Sequence, residues 1–247
     1  MKEEIQEREF EFPYHHIPTW DGKRFSQSRT LWWGYEYLGY LEFLIDLLKS
    51  RPFSSLLDVG CGDGRFLKEV ARHFPRSRLV GVDTSEKAIR FAKAFQPEID
   101  FRVEDITAKR GEERFDVVTA IEVLEHIPAR NLPRFIQAIR ARFADSGVLL
   151  FTVPSRNLPV ATKHVQHFDV PMLRKMLEPT FHITNVYFLN KISWQEALVR
   201  RLLSNRLFMF SSQTLAGRLF AYYRKNLLMA EEKTCKRIYL VASPARA

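Results

Sequence analysis

From residue 55 onward, short apolar runs alternate with stretches in which apolar residues recur every three or four positions. Leu56, Leu57 and Val59 make one such run, and Phe66, Leu67, Val70 and Ala71 follow at helical spacing. The same reading predicts strands over 55–59, 78–83, 100–103, 115–121, 147–153, 182–188 and 237–242. Helices are predicted between them over 65–74, 85–95, 131–143 and 171–177. Thr84 and Ser85 supply N-cap side chains for the second of these helices, and Pro97 stops it. Strands alternating with helices predict an α/β fold with a doubly wound, seven-stranded, mostly parallel sheet and right-handed crossovers. A long segment separates the last two strands, so the final strand is expected to run antiparallel.

Two parts lie outside this alternation. Residues 1–54 hold an aromatic-rich opening, FEFPYHHIPTW, then LWWGYEYLGYLEFLIDLL, an amphipathic helix leading into the first strand. Trp32 to Leu48 is expected to pack as helical cover, whereas Tyr14 to Trp20 reads equally as packing or as a lid. Residues 55–247 then form the main domain, with a helical insertion over 194–231 before the last strand. In that insertion Leu198, Val199, Leu202 and Leu203 form one apolar stripe, and Leu215, Leu219, Phe220, Tyr223 and Leu227 another. Ser211 and Ser212 offer a cap between them, and Arg200, Arg201, Arg206, Arg218, Arg224 and Lys225 supply polar faces. This pattern fits a helical pair packed on the sheet, a contact in a homodimer, or helices lying on an anionic membrane surface.

Composition narrows the class. With 46% hydrophobic residues among 247, the chain can bury a substantial core, which excludes a disordered protein. Cys61 and Cys235 give neither a disulfide framework nor zinc-ligand spacing, which fits a reducing, cytoplasmic setting. The opening MKEEIQEREFEF is charged with mixed sign, unlike a secretory signal. The net charge of +9 is local: residues 191–247 hold 11 Lys and Arg against 3 Asp and Glu, and the rest holds 27 against 26. That argues against a general nucleic-acid coat and for one basic surface, peripheral at a membrane if lipid is its partner.

The chemistry begins at SLLDVGCGDGRF, where Gly60, Gly62 and Gly64 follow the first strand. A glycine-rich turn between strand and helix lets backbone N–H groups approach a ligand. A dinucleotide fingerprint needs G-x-G-x-x-G, and Arg65 stands where its third glycine belongs. Three acids end successive strands around the turn: Asp58, Asp83 and Asp105. They would repel a pyrophosphate and suit a ligand with hydroxyls and a positive centre.

LLDVGCGDG, VGVDTS, EDI, FDVVTAIEVLEHI and SGVLLFTVP, in this order, resemble the class I S-adenosylmethionine-dependent methyltransferases over about residues 55–190, with KRIYLVAS as an echo of the last strand. The resemblance implies a Rossmann-like fold and S-adenosylmethionine as cofactor. It implies that Asp58 holds the methionine amine and that Gly60, Cys61, Gly62 and Gly64 form the wall beneath the cofactor. Asp83 would bind the ribose hydroxyls with Thr84 beside the adenine, while Asp105 and Ile106 would contact the adenine itself.

The acceptor side is read from IEVLEHI, where Glu122, Glu125 and His126 stand at i, i+3 and i+4 and share a face if a helical turn begins there. Glu122 is also counted with the residues that contact the cofactor. The stretch is similar to the E-x-x-E-H of ubiquinone-pathway O-methyltransferases, which implies a divalent metal such as Mg on these three residues. It is also similar to small-RNA 3′-terminal 2′-O-methyltransferases, with His164 and His167 of HVQHFD as further ligands. Those RNA enzymes carry a second histidine where this chain has Ile127, which disfavours a nucleic-acid partner. Without metal, His126 beside Glu125 is the expected general base. Arg156 and Asn157, after the fifth strand, are acceptor-side candidates. The expected reaction is O-methylation of a small-molecule, glycan or lipid-linked hydroxyl. The alternatives are RNA methylation and a non-catalytic cofactor-binding protein.

Overall fold

The structure, a computed structural model, describes residues 19–20, 25–26, 31–108, 111–204 and 212–245. A short antiparallel pair, Thr19–Trp20 with Phe25–Ser26, precedes helix α1, Leu31–Lys49. The remainder of the Tyr14 to Trp20 segment read as a lid, and Arg206 and Ser211 of the insertion, lie outside the described residues. The alternating unit then runs β1 (Ser55–Val59), α2 (Arg65–His73), β2 (Arg78–Asp83), α3 (Glu86–Phe95) and β3 (Asp100–Val103). It continues with β4 (Phe115–Ile121), α4 (Leu132–Arg140), β5 (Phe143–Pro154), α5 (Val170–Leu177) and β6 (Phe181–Lys191). Helices α6 (Trp194–Leu203) and α7 (Gln213–Asn226) fill the insertion before β7 (Cys235–Pro244).

The sheet order is β3-β2-β1-β4-β5-β7-β6. The strands from β1 to β5 pair in parallel, and β7 enters antiparallel between β5 and β6. Alternation along each strand feeds two cores. Leu56 packs with α1, α2 and α3, whereas Leu57 packs with α4 and α5. Helix α1 is cover in the full sense, because Trp32, Tyr35, Leu41, Leu44, Ile45 and Leu48 are buried in the same cluster as the sheet. The insertion helices reach that cluster through Leu203, Tyr223 and Leu227.

Two predicted boundaries shift. The helix expected over 131–143 stops at Arg140, and Phe143 already pairs with Phe115, so β5 begins earlier than its apolar run. The polar Asp145 and Ser146 interrupt the run and hid those residues from a pattern reading. Ser85 caps α3 as expected, its hydroxyl accepting from Ala88 N at 3.1 Å, and Ser212 caps α7 in the same way.

The parallel sheet leaves its carboxyl ends on one edge, and β1 is central there: Asp58 lies opposite Gly81 on one side and Thr119 on the other. Gly64 begins α2 at φ 75°, and a Cβ there would meet Phe101 Cζ at 2.4 Å. Gly64→Ala is therefore expected to lower the unfolding free energy by about 2–4 kcal/mol in urea denaturation. Gly217→Ala, in α7 with open space around it, is expected to raise it by about 0.5–1 kcal/mol.

Candidate active site

The turn after β1 takes left-handed backbone at Gly60, Gly62 and Gly64, with φ of 73°, 54° and 75°. A Cβ on Gly60 would come within 2.5 Å of Val123 Cγ2, so the residue there must be glycine for β4's outgoing loop to close against the turn. Gly60 N and Cys61 N donate to Val82 O at 2.8 and 3.1 Å. Gly62 N donates to Asp83 Oδ2 at 3.0 Å, and Ser85 N to Asp83 Oδ1 at 2.8 Å. One carboxylate thus ties the glycine turn to the start of α3. Asp58 is buried beneath, accepting from Thr119 Oγ1 at 2.6 Å. Burial pushes its carboxyl up to about 7, against the pull of the Thr119 hydroxyl, and the charge of Asp83 adds to the rise.

A cavity of about 400 Å³ opens on this edge. One wall is Val59, Gly60, Val82, Asp83 and Thr84, and the next is Glu104, Asp105 and Ile106 at the end of β3. Glu122, Val123 and His126 follow β4, and Asn131, Arg134 and Phe135 close the far side. Of the cofactor residues expected from sequence, Gly60, Asp83, Thr84, Asp105, Ile106 and Glu122 line the cavity. Asp58 and Cys61 lie behind it, and Gly62 and Gly64 shape the turn without lining it. Asp105 Oδ1 accepts from Thr107 N and Oγ1, both at 2.8 Å, which fixes the loop after β3. Glu104 is held by the buried Arg142. Neither Glu104 nor Phe135 stood out in the sequence, though Glu104 adjoins Asp105 at a strand end.

The shared face expected for Glu122, Glu125 and His126 does not form. Glu122 has left-handed backbone, φ 55°, ahead of a short 3₁₀ turn over Leu124–His126, and its side chain turns away from those of Glu125 and His126. Glu122 accepts from Thr152 Oγ1 and from Arg237 Nε, each at 3.1 Å. Arg237 lies over the Tyr40 ring, 5.6 Å from its centroid. Burial lowers its guanidinium, but Glu122 and Glu36 outweigh that and leave it raised. No sequence motif marked Arg237; it reaches the site because β7 inserts beside β5. Arg156 and Asn157 take other work: Arg156 pairs with Asp169 at 2.9 Å, and Asn157 Nδ2 donates to the carbonyls of Glu232 and Cys235.

Glu125 turns inward instead. It is fully buried, neither carboxylate oxygen has a hydrogen-bond partner among the described residues, and Oε1 lies 3.9 Å from His126 Nε2. Burial, with the charge of Glu122, raises its carboxyl well above the ordinary range. Glu125, His126 and His164 bring one ligand-type atom each within 4.8 Å of one another. Among the described residues Glu122 is not in this group, and His164, read from sequence as a further ligand candidate, is. Backbone carbonyls set the ring tautomers. His167 Nδ1 donates to Leu158 O at 3.1 Å, so its Nε2 accepts from His164 Nδ1 at 2.8 Å and leaves the lone pair of His164 on Nε2. His126 Nδ1 donates to Lys163 O at 3.3 Å, with the same result. Burial and the neighbouring His126 push His164 down to about 3, so it is neutral at physiological pH.

The methyltransferase-domain family matches residues 32–219. The chain belongs to the class I S-adenosylmethionine-dependent methyltransferases. It is 26% identical over 170 residues to the trans-aconitate 2-methyltransferase of Azoarcus sp. (strain BH72), covering 66% of this chain and 57% of that one. Over 107 residues it is 36% identical to the ubiquinone biosynthesis O-methyltransferase of Coxiella burnetii (strain Dugway 5J108-111), covering 41% of this chain and 44% of the relative. It thus spans about half the length of these curated relatives. The crystal structure of an S-adenosylmethionine-dependent methyltransferase from Archaeoglobus fulgidus shares the fold, with a TM-score of 0.59 at 17% identity over 85% of this chain and 94% of that one.

The cavity fits the family's cofactor on its own chemistry. Asp83 and Asp105 line it, acceptors suited to hydroxyls and unfavourable to phosphate. Ile106 and Val123 supply apolar walls for a base.

Asp83→Ala removes the tie between the glycine turn and the start of α3 and is expected to weaken S-adenosylhomocysteine binding at least thirtyfold in calorimetric titration. Asp58 gives a pH signature. Its folded value of about 7 lies above the ordinary 3.8, so the native state favours the protonated form. That contribution to stability is complete below about pH 4 and is lost as pH rises to about 7. Asp58→Asn is expected to remove a fall on the order of 3 kcal/mol in unfolding free energy between pH 4.5 and 8, measured by urea denaturation.

Proposed function

We propose that this methyltransferase transfers the methyl group of S-adenosylmethionine to a hydroxyl oxygen of a small-molecule or lipid-linked acceptor, and that Glu125, His126 and His164 ready the acceptor. The observation that carries this reading is the inward carboxylate of Glu125, unsatisfied and within 4.8 Å of the two imidazoles beside the cavity. S-Adenosylmethionine, when bound, supplies a methyl group already activated on a sulfonium. The chain's task is then to position the acceptor and take its proton, because a neutral hydroxyl is a poor nucleophile. His126 lines the cavity, and with Nδ1 committed to Lys163 O its Nε2 is the atom that accepts a proton. Glu122 and Arg237 give the acceptor side a fixed pair of opposite charges. The names of the relatives in Coxiella burnetii and Azoarcus, an O-methyltransferase and a trans-aconitate methyltransferase, support oxygen as the target.

The same three residues fit a divalent cation. Two imidazole nitrogens with one carboxylate suit zinc, manganese or iron rather than magnesium, which prefers oxygen ligands throughout. The Lys163 carbonyl on His126 and the His167 ring on His164 are the kind of outer hydrogen bonds that orient metal-binding histidines. A cation held there would supply Lewis acidity toward the acceptor oxygen.

A panel of labelled-methyl assays tests this reading, with hydroxyl, amine and oligonucleotide acceptors, before and after chelation and with zinc or manganese restored. Methylation of a hydroxyl acceptor is expected. His126→Ala should lower kcat about a hundredfold or more, and His164→Ala should abolish the response to added metal. Transfer only to amines or oligonucleotides overturns the proposal. Full activity after chelation refutes the cation and leaves His126 as base.

A further inference from the structure

Helix α6 turns the wrong face to solvent for a helix that merely packs. Its inner side carries Leu203 and Glu196, both buried, with Val199 packed on the core. Its outer side carries Trp194, Leu198 and Leu202 at i, i+4 and i+8, exposed by 73%, 63% and 43%. Ile192, just before the helix, is exposed as well. The arginine stripe read from sequence splits in the same way. Arg200 is held by Glu196 and Arg224 by Glu42, both at 2.9 Å, so these two belong to the fold. Arg201, Arg218 and Lys225 are exposed, and none is paired with an acid among the described residues. On α7, Leu215 and Tyr222 are exposed on the same flank as Arg218 and Lys225. Both helices bury their inner faces in the cluster that contains α1.

From this arrangement we infer that the outer faces of α6 and α7 form a docking surface for an anionic lipid bilayer. A tryptophan flanked by leucines, with unpaired cations beside it, matches the interfacial layer: the indole and aliphatic groups enter the headgroup boundary and the cations meet lipid phosphate. Charge decides the choice of occupant. The two helices present Arg201, Arg218 and Lys225, while their one acid, Glu196, is buried, so two copies of this surface would repel one another whereas an anionic membrane attracts it. The site's own charges stay out of the contact: Lys236 is engaged by Glu36 and Glu196, at 2.6 and 2.7 Å, and Arg237 by Glu122. The surface therefore leaves those residues to the fold, and a lipid-linked acceptor would meet the enzyme where such molecules reside.

The test is flotation of the full chain with vesicles of phosphatidylcholine alone and with 30% phosphatidylglycerol, at about 50 and 300 mM salt. Wild type is expected to bind the anionic vesicles at low salt, to release as salt screens the charge, and to bind neutral vesicles weakly. Arg201→Ser with Arg218→Ser and Lys225→Ser should lower partitioning more than tenfold, since each basic residue near an anionic surface contributes about a fivefold factor. Trp194→Ser with Leu198→Ser should lower it about as much. Both variants should keep the wild-type melting temperature and affinity for S-adenosylhomocysteine. Failure of wild type to bind anionic vesicles overturns the inference. So does equal binding of wild type and variants, or a dimer in sedimentation velocity that the Trp194 and Leu198 changes dissolve while vesicle binding persists.

Discussion

The Asp83 carboxylate is the joint on which the site depends. Its two oxygens accept from Gly62 N in the turn after β1 and from Ser85 N at the start of α3. Two loops from neighbouring strands are thereby fixed to one another at the carboxyl edge of the sheet, where ligands bind in folds of this kind. The carboxylate's position comes from the parallel register, which sets Val59 opposite Val82 and brings the ends of β1 and β2 level. With the turn held, its left-handed glycines can be closed upon by Val123 from β4, and the cavity acquires its second wall. Backbone donors and one carboxylate do here what a ring of cations does in a phosphate site.

A second set of charges holds the loop after β4. Glu122 joins Arg237, and the neighbouring Lys236 is shared between Glu36 of α1 and Glu196 of α6. Charges this far from bulk water are tolerated because each has a partner, and removing one partner would leave the other at high cost. The consequence is positional: helix α1, helix α6 and strand β7, distant in sequence, are locked beside the loop that follows β4. Glu125 is the exception, a buried carboxylate with no donor. Such a group persists where function calls for it, and the two imidazoles within reach of it give that function a chemical form.

The insertion joins the two roles. Its inner face supplies Glu196 to the charge network and Leu203, Tyr223 and Leu227 to the core, and its outer face leaves Trp194 and Leu198 to the outside. One segment thus serves the charge network and the core with one face and leaves another face outside.

The strands from β1 to β4, the glycine turn, and the placement of Asp83 and Asp105 at strand ends were legible in the sequence, because apolar periodicity and local turn chemistry fix them over a few residues. So were the caps at Ser85 and Ser212, each a contact across three residues. The start of β5 was not, since its pairing of Phe143 with Phe115 is a tertiary contact that overrides a polar interruption in the run. Nor was the partner of Glu122. Spacing put Glu122 with Glu125 and His126, but a left-handed residue at the end of β4 turned it toward Arg237, 115 positions away. His164 comes near Glu125 and His126 from another loop. The stripes of the insertion showed the same limit: periodicity identified their apolar and basic residues, and only packing against α1 decided which of them were used inside and which remained outside. Local geometry follows from neighbours in sequence, whereas the company a charged side chain keeps is set by the strands and helices that the sheet brings beside it.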